Sequence, residues 1–179
     1  MQSTPTAQRI LGIDPGSLIT GVGIVDSVGD KLKYVFHDSI RSNSKDEFPD
    51  RLRNIYTQVQ AVVTRYQPTQ IAIEQVFMHR NADSALKLGQ ARAAAMSATF
   101  QADIPVHEYA AKLIKQAVVG KGAAAKEQVQ HMVGFLLQLS DPVQADAADA
   151  LAVAICHANM YNIADRLNVK ISTIRKRKR

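Results

Sequence analysis

RILGIDPG, residues 9–16, is the stretch whose reading decides the fold. An apolar run, Ile10, Leu11 and Ile13, delivers one carboxylate, Asp14, into Pro15-Gly16, a pair that turns the chain sharply. That grammar describes a buried strand ending in an acid. A buried strand end is a costly place for a lone charge unless a cation or a hydrogen-bonding partner compensates it. The partners of Asp14 have to come from elsewhere in the chain.

Working outward, ITGVGIV (19–25) reads as a second strand and KLKYVFHDSI (31–40) as a third, joined across Gly29-Asp30 in an antiparallel meander. Over 46–67 the period changes: Leu52, Ile55, Val59, Val62, Val63 and Tyr66 fall at helical spacing, and Pro68 closes the helix. QIAIE (70–74) then repeats the opening grammar and delivers Glu74, the first candidate partner for Asp14. After QVFMHR (75–80), an alanine-rich helix is predicted over 81–101 with Asn81 or Asp83 as its cap. Its small residues at 91–95 allow close backbone approach by the sheet or by a second copy of the chain, which makes this helix a candidate part of a dimer interface.

A last strand is predicted over 105–109, a helix over 110–119, a break at Gly120-Lys121-Gly122, and another helix over 124–139. Asp141 suits the N-cap of a final helix and Pro142 its first position. Asp146 and Asp149 then lie three residues apart on one face, beside the apolar positions Ala148, Leu151, Ala152 and Ile155. Two stacked aspartates repel, so a positive partner is expected between them.

At 179 residues and 46% hydrophobic, the chain is long enough for one well-filled core. Seven of its 22 basic side chains and no acidic one lie in residues 166–179, leaving 15 basic against 16 acidic in the body. A basic tail on a nearly neutral globule points to a polyanion, and to nucleic acid before membrane because no amphipathic apolar face accompanies it. Cys156 is the only cysteine, and no Cys/His grouping has zinc spacing. Residues 1–8, MQSTPTAQ, lack a signal peptide's apolar segment, and no run reaches the length of a membrane span, so the expected compartment is cytoplasmic.

Asp14 and Glu74 at strand ends, with Asp146 and Asp149 on one helical face, form a set of oxygen donors of the kind hard divalent cations prefer. Two such ions about 3.5–4 Å apart activate water and stabilise a leaving oxygen in phosphodiester hydrolysis. Competing motifs fail on spacing. Gly21-Val22-Gly23 has Asp26 where a dinucleotide fingerprint needs its third glycine, and the segment 120–126 has alanine before its lysine and glutamate after it, unlike a P-loop. DPGS with TGVG is like the phosphate hairpin of actin-like ATPases, which need two such domains.

GIDPGS (12–17) with TGVGIV (20–25), AIEQVFM (72–78), NADSALKLGQAR (81–92), VVGKGAAAKEQVQ (118–130) and QADAADALAVAI (144–155) together resemble the RuvC family of bacterial Holliday junction resolvases, with motifs in order over 9–159. The resemblance implies an α/β, ribonuclease H-like fold: a five-stranded mixed sheet, strands one to three antiparallel and four and five parallel to the first, with helices on both faces. It divides the chain into a flexible extension (1–8), a nuclease domain (9–163) and a basic flexible tail (164–179). It implies a homodimer that nicks a four-way DNA junction at paired symmetrical positions, with two Mg²⁺ ions, for which Mn²⁺ substitutes, held by Asp14, Glu74, Asp146 and Asp149 as the catalytic acids. It also places Phe77 on unpaired bases, Lys115 and Lys126 near the scissile phosphate, and Arg80 and Arg92 on the DNA backbone. A RuvA and RuvB branch-migration complex is the further implied partner. A same-fold nuclease acting on structured RNA in ribosome maturation shares the first motif but is not expected to carry NADSALKLGQAR. Lys121 and the concentrated RKRKR ending depart from the family pattern without touching the acids.

Overall fold

The structure, a computed structural model, describes residues 7–76 and 81–171. Strand β1 (Gln8–Asp14) is antiparallel to β2 (Ile19–Val28), and β2 to β3 (Lys31–Arg41). On its other side β1 is parallel to β4 (Gln70–Glu74), and β4 to β5 (Val106–Tyr109), giving the order β3-β2-β1-β4-β5. This is the expected mixed sheet, with β2 and β3 running on to Val28 and Arg41. The first turn is held by Thr20, fully buried, whose hydroxyl donates to the Gly16 carbonyl at 2.9 Å.

Helices α1 (Phe48–Tyr66) and α2 (Ala82–Ser97) cover one face of the sheet, and α3 (Ala111–Val119), α4 (Lys126–Leu136) and α5 (Ala145–Arg166) cover the other. The two-residue period of a strand decides which side chain meets which layer. Leu11, Ile13, Ile71 and Ile73 join the α1/α2 core, whereas Ile10, Ala72 and Tyr109 join the α3–α5 core. By the same alternation Asp14 and Glu74 point to the α5 side, at the ends of neighbouring parallel strands where Ile13 is paired with Ile73.

Helix α5 lies directly on β1 and β2. A Cβ on Gly12 would stand 2.1 Å from the Ala150 carbonyl oxygen, and one on Gly21 would stand 2.0 Å from that of Asp146. Bare backbone at these two points lets the helix seat, and Gly21 is the register partner of Asp14. The seating therefore brings the first turn of α5 against the end of β1.

Three helices differ from the sequence reading by three residues or more at an end. Helix α5 begins after Gln144 rather than at Asp141-Pro142. Val143 is buried in the α4/α5 core and its carbonyl accepts from the Gln130 side-chain amide, so that carbonyl is already engaged before the helix starts. Helix α2 stops at Ser97, and a separate short turn, Phe100–Ala102, follows Thr99, whose hydroxyl donates to the Met96 carbonyl at 2.7 Å. Helix α4 is confined to Lys126–Leu136, shorter at both ends than expected. The N-cap of α2 is Asn81, which accepts from the Ser84 N–H at 3.2 Å. Of the small residues 91–95, Ala91 and Ala95 are fully buried against the sheet and α1, the first of the two uses the sequence allowed.

Candidate active site

Four carboxylates from three distant segments meet at one end of the sheet. Asp14 ends β1, Glu74 ends β4, and Asp146 and Asp149 occupy the opening turns of α5, all half-buried. Burial is the larger reason that Asp14 is pushed up from the ordinary carboxylate value to about 8, and the charges of Glu74 and Asp149 add to it. Glu74 is raised for the same first cause, with Asp149 the principal repulsive neighbour. A hydrogen bond between the Glu74 and Asp14 side chains works the other way on Glu74, as does the positive charge of Lys115 and Lys126.

A positive partner for one of the stacked aspartates, Asp149, is Lys126, at the first position of α4. Its ammonium lies 2.7 Å from Asp149 Oδ2, and this contact is the main reason its own pKa is raised. Lys115, on α3, donates to the Ala124 carbonyl at 2.9 Å, bracing the start of α4. Both lysines line a cleft of about 150 Å³ with Glu74 and Asp149. Two of the expected DNA-facing cations thus stand beside the acids.

Arg92 is turned inward. Its Nε–H donates to the Glu74 carbonyl at 3.2 Å, and its Nη2 lies 3.0 Å from Glu108 Oε1. The sequence held one hint of this pairing: Glu108 is a charge within a short strand, on the same face as the apolar Val106. Arg92 and Glu108 are joined only by the fold, so spacing could not reveal it. Phe77 and Arg80 lie outside the described residues.

A second polar group was not foreseen. His157, fully buried on α5, is hydrogen-bonded through Nδ1 to the Tyr109 hydroxyl at 2.7 Å, and its ring lies 4.6 Å from that of His107. Burial first, and then His107, lowers its pKa to about 3, so the imidazole is neutral.

Among the described residues, no three His, Cys, Asp or Glu side chains form a ready-made metal cage. The donor chemistry nonetheless suits a divalent cation. Oxygen ligands are the kind hard ions take, and a cation would relieve the burial and mutual repulsion that push Asp14 and Glu74 above the ordinary carboxylate range. Lys126 already plays a smaller version of that part for Asp149.

The profile of the family described as crossover junction endodeoxyribonuclease RuvC matches residues 10–157. A protein of that description from Photobacterium profundum is 56% identical over 167 residues, 93% of this chain and 96% of the relative. One from Aliivibrio salmonicida is 60% identical over 150 residues, 84% of this chain and 86% of the relative. Among solved structures, T. thermophilus RuvC in complex with a Holliday junction substrate superposes with a TM-score of 0.83 at 33% identity, covering 88% of this chain and 96% of that one. The yeast mitochondrial Holliday junction resolvase Ydc2 shares the fold at 12% identity, with a TM-score of 0.61, covering 90% of this chain and 85% of that one.

Proposed function

The chain belongs to the RuvC family of crossover junction endodeoxyribonucleases, and from that premise we propose how it works: it resolves Holliday junctions by paired symmetrical nicks made at the acid quartet. The fold is ribonuclease H-like, and the enzyme is a hydrolase of junction DNA. Asp14, Glu74, Asp146 and Asp149 would hold two Mg²⁺ ions, with Mn²⁺ able to replace them. Bound at such a site, a pair of ions supplies activated water and charge stabilisation for the departing 3′ oxygen, leaving 5′-phosphate ends.

The chain's own groups prepare that chemistry. Asp14 and Glu74 present oxygens from adjacent strand ends, and the seating of α5 on Gly21 carries Asp146 and Asp149 to them. Lys126 holds the Asp149 carboxylate, and Lys126 and Lys115 offset the repulsion between a phosphate backbone and four acids. Phe77 stacks on an unpaired base, and Arg80 lies along the backbone. Two copies act as a homodimer, since a junction offers two equivalent strands. A RuvA and RuvB motor supplies the branch point.

The observation that carries this reading is the convergence on Asp14, where burial and three neighbouring carboxylates make ionisation unfavourable without a cation. Cleavage of a synthetic mobile four-way junction with and without Mg²⁺, mapping both nicks, is the test. Symmetrical nicks that appear only with the metal are expected. Cleavage of structured RNA in preference to the junction would overturn the assignment.

A further inference from the structure

Resting on the reading of the acid quartet as the metal-holding site, we propose that Arg92 is a positioning residue for Glu74, pinning the end of β4 from the face opposite the acids, and not a contact to the DNA backbone. The guanidinium serves two partners at once: the Glu74 carbonyl at 3.2 Å through Nε, and the Glu108 carboxylate at 3.0 Å through Nη2. The Arg92 side chain is 18% exposed against 42% for Glu108, so the arginine is the inner member of the pair.

Register explains why this position has leverage. Glu108 is the partner of Ile73, and Ile73 packs toward α1 and α2, so Glu108 faces the helix that carries Arg92. Glu74, one residue on, sends its carboxylate to the other face, where Asp14, Asp149 and the lysines stand. Arg92 therefore grips the backbone of a residue whose side chain acts on the far side of the sheet.

Glu74 needs such a grip. It is the last residue of β4, and beyond it one ladder bond remains in the described chain, from the Gln75 N–H to the Tyr109 carbonyl at 2.8 Å. Its carboxylate is pushed by Asp149 and is partly desolvated, so a loosely held strand end would let it swing away. A planar guanidinium fixes two acceptors in one geometry, whereas an ammonium on a flexible stem can keep the ion pair but not the same fork. Outer partners that orient metal ligands typically cost about 10- to 100-fold in metal affinity or activity when removed.

The test uses the full chain with Arg92→Met, Arg92→Lys and Glu108→Gln. Mn²⁺ binding is followed by electron paramagnetic resonance without DNA, junction binding in EDTA at several salt concentrations, and nicking under single-turnover conditions. Arg92→Met is expected to raise the half-saturating Mn²⁺ concentration by about 10-fold or more and to slow nicking by a similar factor, with junction affinity and its salt slope unchanged. Arg92→Lys should fall between wild type and Arg92→Met, and Glu108→Gln should move the same way by less. If Arg92→Met does not fold, the other two decide, since Glu108 is half-exposed.

Unchanged Mn²⁺ binding in the variants overturns the proposal. So does weakened junction binding with a salt slope reduced by about 1, the signature of a cation that had been sitting on a phosphate. A wild-type protein that neither binds Mn²⁺ nor nicks the junction sinks the reading of the site itself, and the role of Arg92 with it. A wild type that does both beside indifferent variants removes only Arg92.

Discussion

Asp14 shows what a single side chain can be made to carry. Its folded value, about 8, lies above the ordinary 3.8, so the folded chain keeps a proton that the unfolded chain gives up. Stability of the metal-free protein therefore falls as pH rises through that window, by at most about 1.4 kcal/mol per pH unit for one proton. Asp14→Asn is neutral throughout. In EDTA it should melt above wild type at pH 8, with the difference shrinking toward pH 5, as calorimetry can check. The same variant should bind junctions and lose nicking by more than the roughly 100-fold that removal of an outer partner costs. Retained Mg²⁺-dependent nicking would remove Asp14 from the mechanism. His157 gives the opposite slope. Its folded value of about 3 lies below the ordinary 6.5, so stability is intact above pH 6.5 and is lost as pH falls toward 3. In urea unfolding, His157→Gln should escape about 1.4 kcal/mol of acid destabilisation per pH unit that wild type suffers below pH 6.5. The acids themselves were legible in the sequence because each follows a local grammar, a strand end or a helical face. The Tyr109–His157 bond and the Arg92 fork were not, because their partners lie 48 and 16 to 18 positions away, at separations that no period marks.

At the level of elements, the decisive contact is that of α5 with β1 and β2. Glycines 21 and 23 look, in sequence, like part of a phosphate hairpin, and their use here is to let a helix approach. A methyl group on Gly21 would meet the Asp146 carbonyl at 2.0 Å, so something in the first turn of α5 has to shift. Gly21→Ala should therefore depress nicking by about 10-fold or more, the effect expected of misplacing a reacting geometry by a fraction of an ångström to an ångström, while leaving a folded protein by circular dichroism. Gly134→Ala is the matched control. Nothing lies within 4 Å of a Cβ there, and the position is inside α4, so a gain of about 0.5–1 kcal/mol in stability with normal nicking is expected. Strand and helix order, and the bounds of β4, were readable because apolar periodicity changes cleanly from two to 3.6 and back. The start of α5 was misread because Asp141-Pro142 has cap chemistry, while a tertiary contact, Val143 in the core with Gln130 on its carbonyl, set the true boundary.

For the molecule as a whole, the two layers divide the work: α1 and α2 brace the sheet from one side, and α3, α4 and α5 shape the acid site on the other. No helix among the described residues is long and apolar enough to cross a membrane, and the charge excess gathers near the C-terminal end. Within the span read as tail, Arg166 belongs to α5 and pairs with Asp30 on the β2–β3 turn, so its charge is already engaged. The part of the tail beyond Arg166, 167–179, carries six basic residues. Removing it should weaken junction binding and flatten the log–log salt dependence by roughly 0.9 for each phosphate the segment had neutralised, and an unchanged slope would show the tail idle. Helix α5 also sets a length. Its 22 residues make a rod of about 33 Å at 1.5 Å per residue, with Asp146 near one end and Arg166, clasped to Asp30, at the other. That length is close to one helical turn of duplex, about 34 Å. Junctions with arms trimmed below one turn are the corresponding test: if the tail acts at that separation from the acids, its removal should no longer weaken binding to them.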